Sequence, residues 1–289
     1  MSTRDTFLPV ESRLPGFDGA GGWLNSQPLT PAGLRGNVVL VDFWTYTCIN
    51  WLRTLGYVRA WADRYRDQGL VVVGVHTPEF PFERDEDNVR RAVADMDVAY
   101  PVALDPDYAV WRAFGNHYWP AVYLADAEGR IRYHHFGEQA YEATERAIQH
   151  LLRESGRDGI GDDPVSIVPD GVEAQADWDH LESPETYLGF QQGSNLVASD
   201  VQVGTPGHLA IPAALPLNGW ALAGEWTIDE RAAVSNRPDG RVQVVAQGSR
   251  DACERLLQVL QSGSTPGHVD KVIYDWAEAA DSFAGFTER

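Results

Sequence analysis

The side chains best suited to covalent chemistry in this 289-residue chain are two cysteines, Cys48 and Cys253, far apart and in different contexts. Their number and separation exclude a disulfide framework and any multi-cysteine zinc site, so thiol chemistry must rest on one cysteine at a time. A thiol attacks only as its thiolate, and free cysteine is mostly protonated at neutral pH. Cys48 sits where strand-like sequence gives way to helical spacing, in FWTYTCINW (43–51). A cysteine in the first turn of a helix faces unpaired N–H groups and the positive end of the dipole, both of which favour the thiolate. A dithiol redox site would carry a second cysteine three residues on, where this chain has Trp51. The competing reading is a buried, inert cysteine, the common fate of a free thiol, and spacing alone leaves both readings open.

Metal chemistry finds less support. Of His76, His117, His134 and His135, the last two are neighbours on an expected strand and point to opposite faces, so they cannot chelate together. No metal site and no cofactor is expected. The formal net charge of −19 argues against a nucleic-acid or anionic-membrane partner. There is no basic-then-apolar leader in MSTRDTFLPVESRLPGFDG and no apolar run of about 18 residues. A soluble, cytoplasmic chain is expected, although a module cut from a longer secreted precursor would read the same.

The elements that must position Cys48 follow from periodicity. NVVLVDFW (37–44) and LVVVGVHT (70–77) are continuous apolar runs, the pattern of strands buried on both faces. Between them Ile49, Leu52, Leu55, Val58, Trp61 and Tyr65 mark one face of a helix ending near Gly69. A charged helix over 85–96, an extended piece at 100–104, a short helix at 108–114, a hairpin over 121–137 and a helix over 142–154 complete this half. The implied fold class is α/β, a central sheet with flanking helices. The expected division is a first domain over 1–155, a Gly/Pro/Asp-rich linker over 156–185, and a composite α+β segment over 186–289, with a strand at 241–248, a helix at 249–263 and a last strand at 268–278.

These residues carry a resemblance. LVDFWTYTC with Asp42 six residues before Cys48, VVGVHTPEFPFE (72–83) and NHYWPAVYLADAEGRIRYHHFGE (116–138) resemble, over about 15–155, the thioredoxin module of DipZ-type and related TlpA-like proteins. The resemblance implies a thioredoxin-like fold and thiol–disulfide oxidoreductase activity, with Cys48 as the attacking cysteine and Asp42 as a buried acid assisting proton movement. It implies a cis-proline at Pro120 and a substrate cleft formed by Trp44, Tyr46, Asn50, Trp51 and Trp119. Trp51 departs from the pattern by replacing the resolving cysteine, so the second thiolate that disulfide exchange requires must come from outside. The implied partners are a protein or small-thiol disulfide and an external thiol reductant. Gly56 stands where relatives commonly have proline, which is expected to alter helix bending.

Two other readings of the first half remain. Thr45-Tyr46-Thr47-Cys48 shares a Thr-x-x-Cys spacing with one-cysteine peroxiredoxins, but Val41 stands where their proline would be, and the arginine such a site needs has only Arg53 and Arg112 as candidates. The other is a non-catalytic binding module on the same fold. In the second half, SPETYLGF (183–190) and LPLNGWALAGEW (215–226) resemble the β-rich module that follows the thioredoxin domain in DipZ-like proteins, where Trp220 and Trp226 are sugar-stacking or core residues. From about Ser235 the sequence resembles the C-terminal half of an acylphosphatase, with Asn236 at that family's water-positioning asparagine. The family's glycine-rich arginine cradle has no counterpart here, and half a cradle stabilises little.

Overall fold

A computed structural model describes residues 8–179, 189–190, 193–198, 201–216, 218–228 and 233–235. They fall into two units, divided between Asp177 and Trp178.

The first unit is built on a seven-stranded sheet of β1 (Ser12–Arg13), β2 (Gly22–Leu24), β3 (Val38–Trp44), β4 (Leu70–His76), β5 (Val102–Leu104), β6 (Ala121–Ala125) and β7 (Arg130–Phe136). The spatial order is β1-β7-β6-β3-β4-β5-β2. β3, β4 and β5 run parallel, and β6 and β7 continue the sheet antiparallel on the other side of β3. Four helices accompany it, α1 (Ile49–Tyr65), α2 (Glu86–Asp95), α3 (Ala109–Phe114) and α4 (Tyr141–Glu154). This is the thioredoxin-like α/β arrangement implied by the sequence.

Every residue of β3 is buried, as a central strand covered on both faces requires. Alternation sorts its side chains. Val38, Leu40 and Trp44 enter the core shared with α1 and α4, whereas Val39, Val41 and Phe43 pack on the other face with Val110 and Trp111 of α3. Asp42 has the parity of Leu40 and Trp44, so the strand delivers a carboxyl group to the side occupied by α1.

The apolar stripe of α1 differs from the expected one in its first turn. The buried residues are Trp51, Thr54, Leu55, Val58, Trp61, Ala62 and Tyr65, while Ile49 is 42% exposed and Leu52 half-buried. Trp51 is the larger apolar group, and turning it inward leaves Ile49 at the rim. The helix ends in a 3-10 turn over Arg66–Gln68, closed by Gly69 at φ 94°.

Residues 156–177, part of the linker expected over 156–185, fall in the first unit. The backbone there is irregular, as its composition dictates, yet it forms a strap across α1 and α4. Val165 N–H donates to both oxygens of Glu145, at 2.9 and 2.8 Å. Arg59 donates to both oxygens of Glu173 at 2.7 Å, and Arg153 donates to the carbonyls of Ile160 and Gly161. A chain without periodicity can still dock when neighbouring helices present donors to its carbonyls. Gly56 is the seat of this strap: a Cβ there would lie 3.0 Å from Ile167 Cδ1 and 3.3 Å from Glu173 Oε2. Its small size admits the strap, a role the helix-bending expectation did not include.

The described part of the second unit holds a three-stranded antiparallel sheet, β8 (Pro206–Leu209), β9 (Gly224–Ile228) and β10 (Ala233–Ser235), in the order β10-β9-β8. Trp220 and Trp226 are half-buried, their indoles donating to the carbonyls of Ser194 at 2.7 Å and Ala223 at 2.9 Å. Cys253, Asn236, the segment 183–188 and the elements expected over 241–278 lie outside the described residues.

Candidate active site

β3 ends at Trp44, three residues cross the end of the sheet, and Cys48 occupies the N-cap of α1 with extended backbone, φ −70° and ψ 110°. Its carbonyl accepts the N–H of Leu52 at 2.9 Å, and its side chain is half-buried. Cys48 Sγ lies 3.9 Å from the carbonyl oxygen of Trp119, and the Trp119–Pro120 peptide bond is cis. The thiol therefore sits between the start of α1 and the turn that opens β6. Trp119 is fixed by its indole N–H, which donates to the Thr77 carbonyl at 2.9 Å. Ile49, Phe82 and Tyr118, each next to a residue of this cluster in sequence or bonding, are among the exposed large apolar side chains. Asn50 is half-buried in the first turn, its carbonyl accepting from Thr54 Oγ1 at 3.0 Å.

Trp44 and Trp51 do not line a cleft. Both have no exposed surface, and their rings stack at 4.3 Å with an interplanar angle of 23°. Two indoles bury more apolar area in the core than at a rim, provided the N–H finds a partner. Trp51 finds it in Asp42, donating to Oδ2 at 3.0 Å. The buried acid is therefore hydrogen-bonded to the residue that stands at the second-cysteine position. Burial raises the Asp42 pKa from 3.8 to about 7, against the smaller lowering effect of the Trp51 bond. Asp42 Oδ1, Trp44 Nε1 and the Tyr100 hydroxyl are buried without a hydrogen-bond partner among the described residues.

His76, at the end of β4, stands edge-on to Trp44 at 4.8 Å and parallel to Tyr46 at 5.6 Å. Burial lowers its pKa from 6.5 to about 3, so the ring is neutral near pH 7. Tyr46 is 9% exposed, and its pKa is pushed up to about 12 by burial and then by the charges of Glu83 and Asp85. Two of the groups a peroxidase would draw on are engaged otherwise, and the third lies at the surface. The Thr45 hydroxyl lies 3.5 Å from His76 Nε2, Arg53 is ion-paired with Glu138 at 3.0 Å, and Arg112 is exposed. Among the described residues no group of three His, Cys, Asp or Glu side chains is placed to hold a metal ion.

The residue that sequence reasoning missed is Glu83. It is 1% exposed and accepts from Glu79 N–H, Phe80 N–H and Thr47 Oγ1. The signal available was an acid closing the loop PEFPFE (78–83) between two buried elements, a place where a carboxylate survives only if the loop supplies donors.

Parts of the chain are similar to known proteins. Residues 9–152 match the redoxin family, and residues 183–264 match the family described as a thioredoxin-like C-terminal domain. The chain is 37% identical over 233 residues to protein DipZ of Mycobacterium bovis, covering 80% of this chain and 33% of that protein. It thus spans about a third of the length of the DipZ relatives. It is also 59% identical over 70 residues to an acylphosphatase of Mycolicibacterium smegmatis, covering 24% of this chain and 71% of that one. Among solved structures, a thioredoxin-like protein in the oxidized form aligns with a TM-score of 0.47 at 29% identity, over 50% of this chain and 97% of the other.

Proposed function

Residues 9–152 belong to the redoxin family of thioredoxin-like thiol–disulfide oxidoreductases, a 70-residue stretch of the chain belongs with the acylphosphatases, and on that premise we propose that Cys48 performs thiol–disulfide exchange as a single attacking thiol. The observation that carries this reading is the half-buried Sγ at the N-cap of α1, 3.9 Å from the Trp119 carbonyl, with a fully buried tryptophan three residues on. The Cys48 thiolate attacks one sulfur of a disulfide. A new S–S bond forms, the old one breaks, and the departing sulfur leaves as a thiolate that takes up a proton from solvent. Trp51 has no thiol to offer, so release requires an external thiolate to attack the mixed disulfide, regenerating Cys48 and carrying away the bound sulfur as a disulfide. The substrate is a protein or small-thiol disulfide and the reductant a separate thiol.

Asp42 acts in this scheme as the acceptor that holds Trp51 in the core. The acylphosphatase stretch is assigned no activity, because the sequence lacks the glycine-rich arginine cradle that would bind the phosphate.

The test compares substrates in a Cys253→Ser background. Turnover of a protein disulfide with added glutathione or dithiothreitol, abolished by Cys48→Ser, is expected. Turnover of hydrogen peroxide instead would replace this reading with the peroxidase, and reaction with neither would leave a binding module.

A further inference from the structure

We infer that Glu83 is a positioning residue for Cys48, clamping the peptide that precedes the thiol to the loop over 79–83 through Thr47. The inference rests on Cys48 being the attacking group. Glu83 sits in the short helical turn Pro81–Arg84, yet its side chain is 1% exposed. Oε2 accepts the N–H groups of Glu79 at 2.7 Å and Phe80 at 2.8 Å, and Oε1 accepts the Thr47 hydroxyl at 2.5 Å. A carboxylate offers about four lone-pair sites, so one side chain can bind two amides of its own loop and still reach across to another. Thr47 is joined directly to Cys48, which makes the third bond a constraint on the start of α1.

Two further bonds close the arrangement. The Tyr46 hydroxyl donates to the Phe82 carbonyl at 3.3 Å, a second tie between the same two segments. At the other end of this loop the Thr77 carbonyl accepts the Trp119 indole, and the Trp119 carbonyl faces Cys48 Sγ. The segment from Thr77 to Glu83 is thereby tied both to the residue before the thiol and to the residue whose carbonyl opposes it. Disulfide exchange needs the three sulfurs nearly in line, so an unfastened turn at 45–48 slows attack even when the thiol remains present and exposed.

The experiment measures two rates in the full-length Cys253→Ser protein: alkylation by iodoacetamide and attack on the small disulfide 5,5′-dithiobis(2-nitrobenzoate). Thr47→Val removes the hydroxyl and keeps the side-chain shape, and Thr47→Ser restores a hydroxyl. Glu83→Gln keeps one oxygen for the loop amides while its NH2 can donate to the Thr47 hydroxyl, so the link survives with its direction reversed. Thr47→Val is expected to slow disulfide attack about tenfold, with alkylation changed far less, since a small reagent can meet the thiolate from more directions than a bulky aromatic disulfide can. Thr47→Ser and Glu83→Gln are expected to stay close to the parent. Glu83→Ala combined with Thr47→Val is expected to be no slower than the worse single variant, because both sever one link. If Glu83→Ala does not fold, Thr47→Val decides alone. A folded Thr47→Val protein attacking the disulfide at the parent rate overturns the clamp. Failure of the parent itself to attack any disulfide would instead overturn the function proposed for Cys48, and the clamp with it.

Discussion

Helix α1 meets a buried carboxyl group near each end, and the two are furnished differently. Near its start, Asp42 has one donor among the described residues, the Trp51 indole, and an oxygen without a partner among them. Towards its end, Glu145 is 1% exposed and accepts from Trp61 Nε1, the Tyr65 hydroxyl, Arg64 and the Val165 N–H of the strap. A buried carboxylate is stable when donors surround it, and otherwise it keeps its proton. The strap end is a saturated structural joint. The Cys48 end is sparsely paired, and Asp42 there is held protonated up to about pH 7.

The largest way to break this contrast is at the saturated end. Glu145→Ala leaves Trp61, Tyr65 and Val165 donors buried without their acceptor, and is expected to cost about 3–5 kcal/mol in urea unfolding. A loss below about 1 kcal/mol would show that the joint is not what holds the strap.

Asp42→Asn sharpens the other end, with a sign that depends on pH. The folded state keeps a proton on Asp42 to about pH 7, whereas the unfolded chain releases it near 3.8. Asp42 therefore lowers stability as pH rises between those values, by roughly 4 kcal/mol in total, and its contribution is level above them. The variant should match the wild type near pH 4 and exceed it at pH 8. His76 works in the opposite direction: the unfolded chain binds a proton below 6.5 that the folded state refuses down to about 3, so stability falls as pH drops through that window. In the wild type the two slopes oppose each other between about pH 4 and 6.5. Asp42→Asn should uncover the His76 slope, seen as a steeper acid loss in the urea midpoint against pH.

The smallest effect is expected where strap meets helix. Gly56→Leu crowds Ile167 and Glu173 and should cost about 1–3 kcal/mol. Limited proteolysis should then cut within 158–171 sooner than in the wild type. Exchange at Cys48 should stay within about twofold, since distant sites act independently. A large fall in exchange would mean that the two ends of α1 are coupled.

Much of this was legible in the sequence, for physical reasons that differ by element. The largely apolar runs of β3 and β4 and the break to helical spacing at Cys48 follow directly from burial on two faces and on one. Asp42 and Pro120 were placed by resemblance; Asp42 is buried and the Trp119–Pro120 bond is cis. Trp44 and Trp51 were not legible, because an aromatic beside a reactive cysteine fits a rim and a core equally well until its partner is known. The strap escaped because Gly, Pro and Asp carry no periodicity, and its anchors are single polar side chains on helices, Arg59 lying 114 residues from Glu173 and Glu145 lying 20 from Val165. Glu83 was harder to see because two of its three donors are backbone amides, and the only trace it left in the sequence is an acid closing an apolar loop.

On this reading Cys48 forms a mixed disulfide it cannot resolve, since the position of a second thiol is filled by a buried tryptophan. The most direct measurement is the intact mass of the Cys253→Ser protein over time after reaction with a disulfide, without and then with added thiol. A one-to-one adduct that persists until thiol is added, and is absent in Cys48→Ser, is the predicted result. An adduct that resolves without added thiol, or none at all, would contradict it.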